Sequence, residues 1–148
     1  MSDVTVAPAR ASDMEIVEAL LVREHLPVDG LRAHPQHMFV ARLGSRLIGC
    51  ASLEVYGDAA LLRSVAVVAE HRRDGVGSSL VRAALQCAEH SRVASVFLLT
   101  TTAEQYFPRF GFTVVDRADV PPMVRASAEF ARACPSSAII MRKFVTNH

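Results

Sequence analysis

"AEHRRDGVGSSLV", Ala69 to Val81, joins the end of a β-type run to the start of a helical one. It holds two adjacent arginines, Arg72 and Arg73, then Gly75 and Gly77, then Ser78 and Ser79. Glycines remove side chains where a chain turns tightly or where something approaches the backbone. The first-turn N–H groups of a helix lack internal partners and lie at the positive end of its dipole, which suits phosphate. An arginine beside such an end adds a cation that pairs with phosphate through two hydrogen bonds. Two familiar phosphate loops fail the test. A Walker loop needs a wider glycine spacing and a Lys before Ser or Thr. A dinucleotide fingerprint needs a third glycine where Leu80 stands, and a first glycine directly after the strand. The alternative is a plain helix-entry turn with solvated arginines.

The flanks set the architecture. "DVTVAPA" reads as a short strand. "ASDMEIVEALLVREHL" reads as an amphipathic helix, with Ser12 and Glu15 as a capping box, Ile16, Leu20, Leu21 and Leu26 as its apolar stripe, and Pro27 as its end. "HMFVARL" and "RLIGCASLEVYG" form a hairpin about Gly44 and Ser45, and Gly57 and Asp58 turn the chain into "AALLRSVAVV". A second helix, "GSSLVRAALQCAEHS", turns Leu80, Ala83, Ala84, Leu85 and Cys87 to the core and Arg82, Gln86 and Glu89 outward. The strand "VASVFLLT", a short helix stopped by Gly111, the strand "FTVVD", one or two helical turns in "VPPMVRASAEFARAC" and the strand "SSAIIMRKF" follow. The expected fold is α+β, an α/β sandwich on one mixed sheet.

With 148 residues, the chain suits one domain spanning 1–148. It is 51% hydrophobic and 21% charged, a globular composition. A net charge of +1 gives no reason to expect a nucleic acid or an anionic membrane as partner, while leaving a small anionic ligand open. The N-terminus carries no basic segment followed by an apolar one, and no apolar run approaches a membrane span, so a cytoplasmic protein is expected. Cys50, Cys87 and Cys134 stand far apart and read as reduced packing thiols, with a three-thiolate site for a soft metalloid as the weaker alternative. The six histidines show no ligand spacing; His34 and His37 are interrupted by Pro35, and no metal is expected.

"VAVVAEHRRDGVGSSLV" resembles the pyrophosphate-binding motif of the GCN5-related N-acetyltransferase (GNAT) superfamily, Arg/Gln-x-x-Gly-x-Gly/Ala, here Arg72, Gly75 and Gly77. "TTTAEQYFPRFGF" resembles the second segment of that superfamily, and the similarity runs from about Val4 to Phe144. "LEVYGDAALLRSVAV" with "LLTTTAE" is similar to the small acetyltransferases of arsenic-resistance operons. "LLTTTAEQYFPRFGF" with "VPP…SSAIIMRK" is similar, more distantly, to the acetyltransferase domain of N-acetylglutamate synthases. The resemblance implies a GNAT-type, mostly antiparallel sheet with helices on both faces. It also implies direct transfer from acetyl-CoA to the amine of an amino acid or an amino-acid-like toxicant of the arsinothricin or phosphinothricin type. N-acetylglutamate formation is the alternative within the class, and a non-catalytic acyl-CoA sensor the alternative outside it.

Carried onto these residues, the resemblance implies that Val65, Ala66 and Val67 meet the pantetheine arm along a strand edge, with the Val65 N–H stabilising the developing oxyanion. Arg72, Arg73, Asp74, Gly75, Val76, Gly77 and Ser78 form the pyrophosphate loop, and Phe107 and Arg109 complete the cofactor side. Val65 and Val67 also read as plain core residues. Direct attack needs a neutral amine and hence a proton acceptor. Glu54, ending an apolar run, is the candidate, because a carboxylate beside an apolar cleft can have a raised pKa; a solvated strand-end glutamate is the alternative. Many members place a tyrosine to protonate the departing thiolate. Phe107 holds that position here. Tyr106, one residue earlier and so about 100° around a helix, is the substitute; it either donates the proton or packs against the sheet, leaving that proton to water. Arg63 interrupts a buried-looking strand and needs a partner, either an acceptor oxyanion or Glu54. Ser64 beside it, with Arg125 and Ser137 in the tail segment, completes the acceptor side. A homodimer through the late strands is a possible partner arrangement for this superfamily.

Overall fold

The computed structural model describes residues 4–33, 37–72, 74–101, 103–127, 130 and 138–145. In chain order the elements are β1 (Val4–Pro8), α1 (Met14–Arg23), β2 (Met38–Leu43), β3 (Arg46–Tyr56) and β4 (Ala59–Val67). Then come α2 (Val76–His90), β5 (Ser95–Thr100), β6 (Thr113–Val115), α3 (Pro122–Arg125) and β7 (Ile139–Phe144). One seven-stranded sheet runs β1-β2-β3-β4-β5-β7-β6. The β4–β5 pair is parallel and the other pairs are antiparallel, so the sheet is mixed and mostly antiparallel, as expected. Both expected hairpins form, with Gly44 and Gly57 at φ 61° and 66°, where a side chain would be strained.

Alternation along β3 and β4 separates two faces. Leu53 and Leu62 pack with Val81 and Ala84 of α2 and with Phe107, Phe110 and Phe112. Leu61, one residue before Leu62, packs with Phe97, Val124 of α3 and Phe130 on the other face. Helices therefore cover both faces. α2 buries Val76, Leu80, Val81, Ala84 and Ala88. Leu80 and Ala84 are buried as expected, but Ala83, Leu85 and Cys87 are only half-buried, because the contact stripe is narrower and runs along positions 76, 80, 84 and 88 with Val81 beside them. The helix sits tight on the sheet at Gly49, where a Cβ would come within 2.9 Å of Leu80 Cδ1 and 3.0 Å of Ala66 O. That close approach carries the N-terminus of α2 to the bulged part of β4.

The first helix departs from its sequence reading at both ends. No Ser12–Glu15 box forms. Instead the Asp13 carboxylate accepts from Arg10 N at 2.7 Å and pairs with Arg42. Burial pushes the Asp13 carboxyl up, but these bonds outweigh it and hold the group below its ordinary value. Met14, Val17, Leu20 and Leu21 form the buried stripe, and Ile16 points out, 53% exposed. α1 stops at Arg23, short of Pro27. Leu26 N donates to Leu21 O (2.9 Å) and His25 N to Val22 O (3.1 Å), with His25 left-handed at φ 59°. This is a Schellman ending with His in the place glycine usually takes, and Glu24 is the last residue before it. Among the described residues no helix is long and apolar enough to cross a membrane.

Candidate active site

Across the middle of the sheet one pair of strands comes apart. β4 and β5 are in register only at Ala59, Ala60 and Leu61 against Ser95, Val96 and Phe97. Beyond that point each strand is laddered on one side alone. The gap is a cleft of about 780 Å³ lined by Leu62 to Val67 on one wall and Leu98 to Thr101 on the other. An open strand edge presents N–H and C=O groups that need partners.

A bulge in β4 sets the opening. Ser52 faces Arg63 and Cys50 faces Ala66, so Ser64 and Val65 together oppose the single residue Ala51. The extra residue bends the strand away from its neighbour. Ser64 takes φ 62°, a strained value for a serine, held by the Cys50 thiol donating to Ser64 O at 3.2 Å.

The loop that opened the sequence reading arrives at one end of this gap. Gly75 is the N-cap of α2 at φ 78°, with no side-chain cap, and the first turn carries no acidic residue. The donors of that turn are thus left to an outside acceptor. Gly77 faces the cleft, and a Cβ there would lie 3.1 Å from Tyr106 Oη and 3.7 Å from Val67 Cγ2. Arg72 lines the cleft, gives Nε to Val67 O (3.2 Å) and pairs through Nη2 with Glu24. Ser78 stands behind, its Oγ 3.4 Å from Tyr106 Oη.

Tyr106 is brought to the cleft together with Phe107. It contacts the Phe107 and Phe110 rings edge-on, at centroid separations of 5.3 and 5.4 Å. Arg109 turns back over the Tyr106 ring at 4.4 Å and donates Nε to Tyr106 O at 3.0 Å. It braces the tyrosine and does not line the cleft. Asp74 pairs with His71 at 2.9 Å in the loop, and Val76 is buried beneath it; neither lines the cleft.

Among the residues expected on the acceptor side, Arg63 is the most heavily bonded. It is 2% exposed and donates to Asp29 O (2.6 Å), Pro27 O (3.0 Å), Ser64 Oγ (3.3 Å) and Glu54 Oε2 (3.2 Å). Of the two partners foreseen for Arg63, Glu54 is the one found. Glu54 itself corrects a sequence expectation. It is not a strand-end group at a cleft: it is 1% exposed, bonded to Arg63 and to Tyr56 Oη at 2.6 Å, and it does not line the gap. A base must reach the proton it removes, and Glu54 lies behind Arg63. Burial, then the bond to Glu54, pushes the Tyr56 phenol above its ordinary pKa.

Arg125 ends the short α3, exposed and away from the cleft. Arg73, Ser137, Cys134 and His34 lie outside the described residues. The sequence reading missed Glu24 and His25 at the cleft and took Leu26 for the helix stripe, because charges at a helix end look like a solvated end until the chain folds them over a gap.

The two cysteines among the described residues, Cys50 and Cys87, are free thiols with separate surroundings. Cys50 is fully buried, and burial pushes its thiol up to about 12. Cys87 is half-buried, its Sγ 3.3 Å from His37 Nδ1, and burial pushes it up too. Among the described residues no group of three or more His, Cys, Asp or Glu is arranged to hold a metal ion. At about pH 8 a thiol reagent is expected to leave Cys50 unmodified in the native chain and to label it only in denaturant. Mass spectrometry of the labelled peptides reads this, and rapid native labelling would contradict the packing.

Known proteins are similar to this chain in sequence and fold. An uncharacterized N-acetyltransferase of Chlorobaculum tepidum is 31% identical over 98 residues, covering 66% of this chain and 63% of that protein. An amino-acid acetyltransferase of Mycobacterium tuberculosis is 32% identical over 104 residues, covering 70% of this chain and 56% of that one. The chain thus spans less than two thirds of either relative. The structure of N-acetylglutamate synthase from Neisseria gonorrhoeae, complexed with coenzyme A and N-acetyl-glutamate, superposes at a TM-score of 0.85 over 99% of this chain and 36% of that one, at 19% identity. A profile of the acetyltransferase (GNAT) domain matches residues 34–114, the span that holds the bulged strand, the glycine loop, α2 and β5, and the chain therefore belongs to that family.

Proposed function

We propose that this chain transfers the acetyl group of acetyl-CoA directly to the amine of an amino acid or amino-acid-like compound. The observation that carries the reading is the gap between β4 and β5, whose open edges end at an uncapped, acid-free helix N-terminus. These residues fit a peptide-like arm ending in a pyrophosphate. The β4 edge at Val65 to Val67 suits the arm, and Arg72, Gly77 and the first turn of α2 suit the phosphates. Gly77 matters because a side chain there would fill the space. When bound, acetyl-CoA supplies an acyl carbon already activated as a thioester.

The chain's own part is to orient and to manage protons. The Val65 N–H, in the bulge, is assigned to the developing oxyanion. Tyr106 Oη, which lines the cleft beside Ser78, holds the proton for the departing sulfur. Glu54 serves by holding the buried Arg63 guanidinium, which fixes the Pro27 and Asp29 carbonyls of the acceptor wall, and Ser64 beside it lines the cleft on the acceptor side. An acceptor with a second acidic head, of the arsinothricin or phosphinothricin type, is the finer reading. Glutamate is the alternative within the class; the mycobacterial amino-acid acetyltransferase relative supports an amino acid as acceptor. The chain is placed in the cytoplasm. Exposed Val114 and Phe144 near the β6–β7 edge support self-association.

Release of CoA thiol is to be followed across glutamate, other amino acids, phosphinothricin and arsinothricin. Turnover with at least one acceptor is expected, and Tyr106→Phe is expected to lower kcat by about 10²–10⁴. A thermal shift with CoA but no turnover on any amine would replace this reading with a non-catalytic acyl-CoA sensor.

A further inference from the structure

The arginine assigned to the cofactor's phosphates already holds an anion. Arg72 Nη2 pairs with the carboxylate of Glu24, the residue that ends α1, and both line the cleft. Glu24 is fixed there by the Schellman ending that follows it, with Leu26 N on Leu21 O and His25 in its left-handed conformation. Three residues further, Arg63 holds the carbonyls of Pro27 and Asp29. The 24–29 segment, which walls the acceptor side, is therefore clamped by two arginines, one at each end.

We propose that Glu24 is an internal counter-anion of the cofactor site. It holds Arg72 while the site is empty, yields it to the cofactor's phosphate, and is then left as an unpaired carboxylate facing the cleft. There it pairs with the ammonium of the arriving acceptor. The inference rests on the reading that Arg72 binds the pyrophosphate.

Exchange of one anion for another keeps Arg72 paired throughout, and the phosphate wins because it also takes the free donors of α2. Exposure sets the size of the effect. The Arg72 and Glu24 side chains are 51% and 23% exposed. Pairs of that kind shift an equilibrium by only about 1.4- to 5-fold. Glu24 therefore tunes cofactor affinity without blocking it. Because one carboxylate serves both ligands, cofactor and acceptor favour each other's binding, by the same factor in each direction.

The test is calorimetric titration of CoA, at low salt, into the full chain and into Glu24→Gln and Glu24→Ala, each first shown to melt like the parent. Both variants are expected to bind CoA about two- to fivefold more tightly. The gain should vanish when Arg72→Ala is added, and for pantetheine, which has no phosphate. Unchanged or weaker CoA binding in both variants overturns the counter-anion role. Failure of the parent chain to bind CoA at all overturns instead the cofactor reading beneath it.

Discussion

Replacing Arg63 by methionine is expected to destabilise the chain by about 3–5 kcal/mol, read as a fall in the denaturant midpoint. The reason is what stays behind. The Glu54 carboxylate is 1% exposed and, among the described residues, would keep only the Tyr56 hydroxyl, at 2.6 Å, as partner. An ion buried without its counter-ion costs far more than the intact pair contributes, because the pair's attraction is largely offset by the desolvation of both groups. The same argument predicts that Arg63→Met with Glu54→Leu recovers most of the loss. Recovery stays incomplete, since the carbonyls of Pro27 and Asp29 also lose their donor. A single Arg63→Met loss below about 1 kcal/mol, in the range of exposed pairs, would mean that water reaches Glu54 and that the acceptor wall is open.

The second large effect is on binding. Gly77→Asp is expected to weaken CoA by more than about 100-fold, since like charges brought together at an interface cost several kcal/mol. The carboxylate would stand in the first turn of α2, where Arg72 and the free N–H groups are assigned to the phosphates. Gly77→Ala separates charge from bulk. Its methyl would meet Tyr106 Oη at 3.1 Å, a contact that a small movement of the tyrosine relieves, and alanine is the better helix former. That variant should melt at or above the parent temperature and lose much less affinity. Equal CoA affinity in Gly77→Asp and the parent would remove the glycine loop from the cofactor site.

How much was legible beforehand follows the range of the forces. Gly44 and Gly57 mark their turns because only glycine adopts those positive φ angles without strain, and that is a property of one residue. The strand alternation and the apolar stripe of α2 are properties of short windows, and they placed the elements, though the stripe was read too wide. The ends of α1 were misread for a reason of distance. The Ser12–Glu15 box gives way to Asp13, which accepts from Arg10 N and is anchored by Arg42, a residue 29 positions away, and a histidine rather than a glycine closes the helix.

The candidate site divides in the same way. By itself the sequence determined the strand, the glycine loop and the helix that lie between Ala59 and His90, because residue type and spacing alone decide where a backbone turns and which helix end is left uncapped. Only the tertiary structure decided that β4 and β5 part after three paired residues, that Arg63 seals Glu54 away from the cleft, and that Glu24 crosses to Arg72. Those outcomes depend on which charges are buried together and which strand edges are left open. The energies at stake arise between residues distant in the chain, so they exist only once the sheet has brought those residues within reach.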